Sequence, residues 1–197
     1  MWNEAEKFLS NDKHIGPLIK KWGHCTIAPR KHKDYFVGII GEIIGQQLSG
    51  RVADVIFDRF KKRVKGKITP DKVLALADQE LRDCGMAWAK VRSLKDLAEK
   101  VKQGELKTKE LAGLSDEEVE RELVAVKGIG KWTAEMFLMF SLGRPDIFPS
   151  DDLGIRNGMK EIFAKEMTAL EMERKALKWK PYRTVASWYI WRNLENR

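Results

Sequence analysis

Two adjacent carboxylates, Asp151 and Asp152, follow Ser150 and precede a periodic pattern that predicts a helix from Leu153 to Lys165. A carboxylate held against a sugar stabilises the positive charge that develops when a glycosidic bond breaks, and it can orient or deprotonate water. Each aspartate could instead serve as a helix N-cap. We expect Ser150 or Asp151 to cap the helix, which leaves Asp152 to face a cleft.

Two glycines, Gly128 and Gly130, separate a helix that ends at Val126 from a second helix that begins near Lys131. Glycine permits a backbone φ above zero, and we expect both glycines to use this freedom in a tight turn. Backbone N–H groups beside a helix N-terminus attract phosphate, and Lys127 and Lys131 add positive charge. An ordinary connection between helices would explain the two glycines equally well. The turn alone therefore leaves both interpretations open.

The chain has 197 residues, of which 43% are hydrophobic, and its formal net charge is +8. This charge favours a polyanionic partner such as nucleic acid. Apolar runs such as Phe36 to Ile40 are far shorter than the roughly 20 residues of a membrane span, and the chain does not start with a signal-peptide pattern. We therefore expect an intracellular monomer with no membrane partner.

Metal-binding residues are few. Two cysteines, Cys25 and Cys84, and three histidines, His14, His24 and His32, form no closed zinc pattern. Two thiols are also too few for a four-cysteine iron–sulfur cluster. We predict reduced thiols and no metal site.

Apolar residues recur at helical spacing along almost the whole chain, and no stretch alternates strictly enough for a strand. The pattern is interrupted at Ser49 and Gly50, which predicts a break between two helices. Thr69 and Ser115 are the expected N-caps of later helices, and the helix that begins at Thr69 is expected to reach Gly85. The sequence predicts an all-α protein of nine or ten helices.

Four sequence blocks follow one another in a fixed order. They are Ile44–Ser49, the hairpin Leu123–Ala134, Ser141–Arg156 and Trp179–Arg192. In this order the blocks resemble the 3-methyladenine DNA glycosylase II family of helix-hairpin-helix base-excision enzymes. No single block is specific, but four in order, over about residues 35–197, are highly specific.

The resemblance implies two helical lobes that flank a cleft and together form one glycosylase unit, residues 1–197. One lobe would run from about residue 36 to 144 and contain the helix-hairpin-helix at about 116–142. The other lobe would combine about residues 1–35 with 145–197.

The resemblance also implies an activity. The chain would be a monofunctional DNA glycosylase that removes alkylated purines, such as 3-methyladenine and 7-methylguanine, from duplex DNA for base excision repair. Such bases already carry positive charge and leave without a strong general acid, so one aspartate can suffice. By resemblance Asp152 is the catalytic acid, and Asp151 is the secondary candidate.

The same resemblance assigns residues that bind DNA. The hairpin residues are Lys127, Gly128, Ile129, Gly130, Lys131 and Thr133. Gln47 is the expected wedge that fills the space of a flipped nucleotide, and Leu48 is the next candidate. Alternatively, Leu48 is a core residue and the glutamines cap a helix end.

Two tryptophans match the family's base pocket. Trp132 and Trp191 would hold a cationic base by stacking and cation–π attraction. Met136 and Leu153 belong to the same expected pocket, but bacterial members carry tyrosines at these positions. This departure leaves the range of excised bases open.

Strand cleavage is not expected, because the family's lyases carry a lysine two residues after the second hairpin glycine. Here that residue is Trp132, and Lys131 lies one position earlier. No cofactor is expected to be required, although a monovalent cation can bind the hairpin backbone carbonyls. The place of action would be the cytoplasm with its nucleoid in a prokaryote and the nucleus in a eukaryote.

Two other functions remain open at this point. The chain could be a glycosylase for deaminated or oxidised purines. It could also be a non-catalytic helix-hairpin-helix DNA-binding protein, although Asp152 and the pocket tryptophans would then have no role.

Overall fold

The structure is a computed structural model that describes residues 2–29 and 34–195, and these residues form twelve α-helices and no β-strand. In chain order the helices are α1 (Asn3–Leu9), α2 (Ile15–Trp22), α3 (Tyr35–Gly45), α4 (Gly50–Val64), α5 (Pro70–Ala75), α6 (Asp78–Asp83), α7 (Trp88–Gln103), α8 (Asp116–Val124), α9 (Lys131–Phe137), α10 (Leu153–Phe163), α11 (Ala169–Ala176) and α12 (Arg183–Glu195). A π-helical segment, Leu138–Leu142, follows α9. The all-α prediction is confirmed for this part of the chain.

The chain divides into two compact units. The hairpin unit is Arg30–Phe137, and the aspartate unit combines Met1–Pro29 with Leu138–Arg197. The expected lobe boundaries were near residues 36 and 144. The observed second boundary comes earlier, because residues 138–144 belong to the aspartate unit and are hydrogen-bonded within it. The backbone N–H of Arg144 donates to the carbonyl of Leu138 at 2.9 Å, and the Arg144 carbonyl accepts from the Thr184 hydroxyl on α12 at 2.7 Å.

The hairpin unit is built around α3, whose sequence is apolar on nearly every face. This helix packs against α4, α7 and α9, and α8 packs against α9. The predicted break at Ser49 is confirmed, since α3 ends at Gly45 and α4 begins at Gly50. Ser115 caps α8 by accepting from the backbone N–H of Glu118 at 3.2 Å, as the capping-box pattern predicts.

The predicted single helix from Thr69 to Gly85 is wrong, because α5 and α6 are separate helices. Leu76 and Ala77 between them are extended, with ψ of 137° and 150°. The ammonium group of Lys95 on α7 donates to the carbonyls of Leu74 and Leu76, which satisfies the end of α5. This division is one reason why the described residues form more helices than the nine or ten predicted.

The aspartate unit has its own core, in which α12 packs against α1, α2 and α10. Trp179 and Tyr189 are the largest fully buried side chains of this core. Burial of such apolar surface is the main stabilising contribution, of roughly 25 cal/mol per Å². The N-terminal helices α1 and α2 therefore share one core with α12 and with α10, the helix that follows Asp152.

No described helix is both long and apolar enough to cross a membrane. Cys25 and Cys84 are free thiols, and burial raises the pKa of the Cys25 thiol to about 12. Within residues 2–29 and 34–195, no cluster of three or more His, Cys, Asp or Glu side chains could hold a metal ion. His32 lies outside these described residues.

Candidate active site

Asp152 occupies the N-cap of α10. Its backbone is extended, with φ of −69° and ψ of 129°, and the backbone N–H of Ile155 donates to its Oδ1 at 2.9 Å. The backbone N–H of Arg156 donates to the Asp152 carbonyl at 2.9 Å, which is the first hydrogen bond of the helix. The side chain is therefore tied to the helix N-terminus, where partial positive charge accumulates.

The expectation that Ser150 or Asp151 caps this helix is wrong. The Ser150 hydroxyl is buried and donates to Oε1 of Glu173 at 2.7 Å, so it is directed to α11. Asp151 is exposed. The helix begins at Leu153, as predicted, but its N-cap is Asp152 itself.

Trp191 on α12 holds the same carboxylate. Its indole Nε1 donates to Oδ1 of Asp152 at 2.7 Å, so this oxygen accepts hydrogen bonds from both Trp191 and Ile155. The Trp191 ring stacks on Phe140, with ring centroids 6.1 Å apart and an interplanar angle of 26°. Trp191 was predicted as a base-pocket residue, and the structure additionally makes it the positioning partner of Asp152.

Two glycines on α10 permit this arrangement. A Cβ at Gly154 would lie 2.8 Å from Cδ1 of Trp191 and 3.0 Å from Oδ1 of Asp152. A Cβ at Gly158 would lie 2.2 Å from Cγ2 of Ile190. The contacts with Trp191 and Ile190 are too short for a real side chain, so α10 approaches α12 this closely because glycines occupy both positions. Sequence reasoning missed them, although glycines four residues apart mark one face of a helix.

The loop before Asp152 is fixed to the start of α12. The Arg183 guanidinium donates to both carboxylate oxygens of Asp146, at 2.7 and 2.9 Å. The Thr184 hydroxyl, which donates to the Arg144 carbonyl, also accepts from the backbone N–H of Ile147 at 3.0 Å. A bidentate pair of this kind fixes orientation as well as position. Two of the four sequence blocks therefore meet here in space.

The hairpin joins α8 to α9 in the hairpin unit. Gly128 has a φ of +80°, and a Cβ there would lie 2.3 Å from Oγ of the buried Ser93. The backbone N–H of Lys127 donates to Oδ2 of Asp96 at 2.8 Å. Both contacts are made with α7, so the turn lies close against this helix.

Gly130 differs from the expectation. Its φ is not positive and a Cβ there would meet nothing within 4 Å, so the expectation that both glycines adopt a positive φ is wrong for Gly130. Between the two glycines, Ile129 is 5% exposed, and its side chain packs in the core and anchors the turn. The left-handed conformation at Gly128 is sufficient to reverse the chain. Gly130 leaves open space at the surface of the turn.

Gln46 also holds the hairpin. Its Nε2 donates to the Gly128 carbonyl at 3.0 Å and to Oγ1 of the buried Thr133 at 2.9 Å. The Lys90 ammonium donates to the carbonyls of Ile44 and Gln46 at 2.8 and 2.7 Å, and burial lowers the pKa of Lys90. Sequence reasoning assigned neither side chain a role at the hairpin, although Gln46 lies in one of the four blocks.

The predicted wedge lies at the end of α3. Gln47 is exposed and has a φ of 57°, which is unusual for a residue other than glycine. Leu48 is 36% exposed, so the alternative that it is a core residue is wrong. The same alternative placed the glutamines at a helix end. This is correct for Gln46, whose backbone N–H donates to the Glu42 carbonyl at the end of α3. Strained and exposed residues of this kind are common at binding sites.

The predicted base-pocket residues are divided between the two units. In the hairpin unit Trp132 is half-buried and Met136 is 6% exposed, and the two share one face of α9. In the aspartate unit Leu153 is 69% exposed, directly after Asp152. Trp191 is the member of this set that donates a hydrogen bond to Asp152.

Lys131, the other lysine of the predicted hairpin, begins α9. Its ammonium lies 3.8 Å from Oε1 of the buried Glu135, one turn further along the helix. Its side chain is 45% exposed. This carboxylate contact was not predicted, and the exposed fraction leaves the ammonium accessible from solvent.

These features define a class of protein, the helical proteins that combine a helix-hairpin-helix with an aspartate beyond it. The family described as HhH-GPD superfamily base excision DNA repair protein matches residues 40–182. The chain belongs to this family, and the membership predicted from the four blocks is confirmed.

Individual relatives agree. DNA-3-methyladenine glycosylase 1 of Schizosaccharomyces pombe is 39% identical over 196 residues, which cover 96% of this chain and 86% of that protein. The alkylbase DNA glycosidase-like protein mag2 of the same organism is 34% identical over 198 residues, which cover 96% and 92%. Among solved structures, the S. pombe 3-methyladenine DNA glycosylase Mag1 in complex with abasic DNA has a TM-score of 0.87 and 34% identity, and the match covers 98% of this chain and 97% of that one.

Proposed function

We propose that this chain is a monofunctional DNA glycosylase that hydrolyses the N-glycosidic bond of alkylated purines in duplex DNA. The observation that carries the proposal is the carboxylate of Asp152, whose Oδ1 accepts from the Ile155 backbone N–H and from Trp191 Nε1. Family membership and the two S. pombe relatives support the same reaction.

The chemistry depends on charge. As the bond between sugar and base breaks, positive charge develops on the sugar, and the Asp152 carboxylate stabilises it. The two hydrogen bonds fix the orientation of the carboxylate before reaction, so little reorganisation is needed. A purine alkylated at N3 or N7 leaves as a neutral base, which removes the need for a strong general acid. Water then adds to the sugar and leaves an abasic site.

We expect the hairpin to bind the DNA backbone without sequence specificity. Backbone N–H groups at the turn and the exposed Lys127 and Lys131 are suited to phosphate. A monovalent cation at the turn carbonyls remains part of this proposal. The Gly128 carbonyl already accepts from Gln46, so a cation there would use its second lone pair.

Base flipping requires a wedge in the duplex and aromatic faces for the damaged base. Gln47, exposed at the end of α3, is the proposed wedge, with Leu48 beside it. Trp132 and Trp191 would stack on the cationic base, and Met136 and Leu153 would complete the pocket. Because the substrate is chromosomal DNA, we place the enzyme in the cytoplasm with the nucleoid if it is prokaryotic, or in the nucleus if it is eukaryotic.

A base-release assay tests this proposal. Duplexes that carry 3-methyladenine, 7-methylguanine, hypoxanthine or an etheno adduct are incubated with the protein, and the released bases are identified by mass. We expect release of the two methylated purines. Release of hypoxanthine alone would assign the chain to deaminated purines, and tight binding without release from any duplex would make it a non-catalytic DNA-binding protein.

Trp191→Phe keeps an aromatic ring on Phe140 but removes the Nε1–H that donates to Asp152. A charge-assisted hydrogen bond contributes about 1.5–3 kcal/mol, so we expect the single-turnover excision rate to fall by roughly 10-fold or more, with duplex affinity nearly unchanged. Trp188→Phe, on the same helix, is the matched control and should excise at the parent rate. Equal rates for both variants would show that this hydrogen bond does not serve the reaction.

Product DNA should contain intact abasic sites, because Trp132 cannot form a Schiff base. We therefore expect borohydride to trap no covalent adduct between protein and DNA. Lys131→Ala should weaken duplex binding and lower the salt-dependence slope by about one, while bound enzyme still excises. A trapped adduct that disappears in Lys131→Ala would instead identify Lys131 as an amine nucleophile and the enzyme as a lyase.

A further inference from the structure

A basic cavity of about 330 Å³ lies in the aspartate unit, and no residue proposed for catalysis, base binding or DNA binding lines it. Its lining residues are Lys13, His14, Phe163, Arg174, Lys175 and Lys178. Four of these six side chains are permanent cations and none is a carboxylate. Gathering like charges around one space is unfavourable unless an anion neutralises them.

The aromatic floor of the cavity is already covered. The His14 ring lies on Phe163 with centroids 3.9 Å apart, and the Lys175 and Lys178 ammonium groups lie 5.8 and 5.5 Å from the Phe163 centroid. These contacts hold the cations near the cavity. They also leave little of the Phe163 face for a nucleobase to stack on, so a ligand would be recognised by its charge.

Among the described residues, a carboxylate pairs with one of these four cations. The Lys178 ammonium lies 2.6 Å from Oδ2 of Asp12. Within the described part of the chain, Lys13, Arg174 and Lys175 form no ion pair with a carboxylate. Burial, together with the charges of Lys178 and Lys13, lowers the pKa of His14, which is opposed by a hydrogen bond to the Ile162 carbonyl and by Asp12. The cavity therefore has an excess of positive charge.

We propose that this cavity is a binding site for a phosphate group, distinct from the phosphate grip of the hairpin. Lysine and arginine donate strong charge-assisted hydrogen bonds to phosphate oxygens, and a bound phosphate would offset part of the charge of the three cations that have no carboxylate partner. The phosphate can belong to the DNA backbone or to a free phosphorylated compound. The site does not depend on base excision, so it can be tested separately.

His14 gives a local readout, because a bound anion stabilises the imidazolium and raises the His14 pKa. We would follow the His14 ring resonances by NMR during pH titrations in inorganic phosphate and in sodium chloride of equal ionic strength. The test variant is Lys13→Ala/Lys175→Ala. The matched control, Lys107→Ala/Lys109→Ala, removes the same charge from exposed lysines outside the cavity.

We expect phosphate, but not chloride, to raise the His14 pKa in the parent and in the control. The Lys13→Ala/Lys175→Ala variant removes two cations and should bind phosphate at least about fivefold more weakly, which is the effect of losing one favourable ion pair. Equal responses to phosphate and chloride, or equal phosphate binding by test variant and parent, would overturn the proposal.

A second arm of the experiment adds a short undamaged duplex and identifies the source of the phosphate. A shift of His14 by the duplex, with a larger loss of duplex affinity in the test variant than in the control, identifies the DNA backbone as the source. A duplex that leaves His14 unchanged identifies a free phosphorylated compound.

Discussion

Asp152→Asn is expected to slow base excision by at least about 100-fold, which is the scale of removing one key electrostatic group from an active site. The amide has the size of the carboxylate, and its oxygen can still accept from the Ile155 backbone N–H and from Trp191 Nε1. Asparagine is also a good N-cap, so α10 should remain intact. The variant lacks only the negative charge that stabilises the sugar cation. Single-turnover excision, duplex affinity and the thermal midpoint of unfolding would be measured together.

The matched control is Asp151→Asn, at the exposed neighbour of Asp152. This change removes the same charge without touching the hydrogen bonds of Trp191, and we expect only a small loss of rate. Duplex affinity should be kept or strengthened in Asp152→Asn, because a negative charge beside DNA is removed. A large loss in Asp151→Asn with a small loss in Asp152→Asn would transfer the catalytic role to Asp151.

Gly128→Ala is expected to destabilise the protein by about 2–4 kcal/mol. Alanine is strained at the observed φ of +80°, and its Cβ would lie 2.3 Å from Oγ of Ser93, so both backbone strain and steric overlap oppose it. The free energy of unfolding from a denaturant titration measures the effect. Because the same turn carries the hairpin, duplex binding should also weaken.

Two variants separate the causes. Gly130→Ala is the matched control, since its Cβ meets nothing and its φ is not positive, and its stability should stay within about 0.5 kcal/mol of the parent. Ser93→Ala in the Gly128→Ala background removes the overlapping Oγ and should recover part of the stability, but not the part due to φ. A Gly130→Ala loss as large as that of Gly128→Ala would contradict this description of the turn.

Gly130→Ala also tests the contact between the hairpin and DNA, because we expect this variant to keep its fold. If the turn approaches phosphate closely, the added methyl group should weaken binding to all duplexes alike, whatever their sequence. The weakening would come from the methyl group's contact with phosphate, since the turn itself accommodates alanine. Equal binding by the variant and the parent across a salt titration would show that phosphate does not reach Gly130.

Sequence patterns were sufficient for features that depend on near neighbours. The helical period gave the all-α fold, and the caps at Thr69 and Ser115 were predicted because each depends on residues within one turn. The order of four blocks gave the family. Asp152 was placed at the start of a helix for the same reason, since the helix pattern begins directly after it.

Features that depend on distant residues could not be predicted in this way. The bond from Trp191 to Asp152 joins residues 39 apart in sequence, and the bond from Gln46 to Gly128 joins residues 82 apart. The error about the cap has a simple cause, because Ser150, Asp151 and Asp152 are all favourable caps and only the tertiary contacts of Ser150 choose among them. Gly130 was misjudged because a glycine's φ is not fixed by its identity.

Single-turnover base release tests most directly whether this chain uses Asp152 to hydrolyse the bond between an alkylated purine and its sugar. Parent protein and Asp152→Asn, purified identically, are mixed in excess with a duplex that carries one 7-methylguanine, and the released base is quantified by mass. We predict free 7-methylguanine from the parent and a rate at least about 100-fold lower from the variant. A parent that binds the duplex but releases no base, or a variant that releases base as fast as the parent, would contradict the claim.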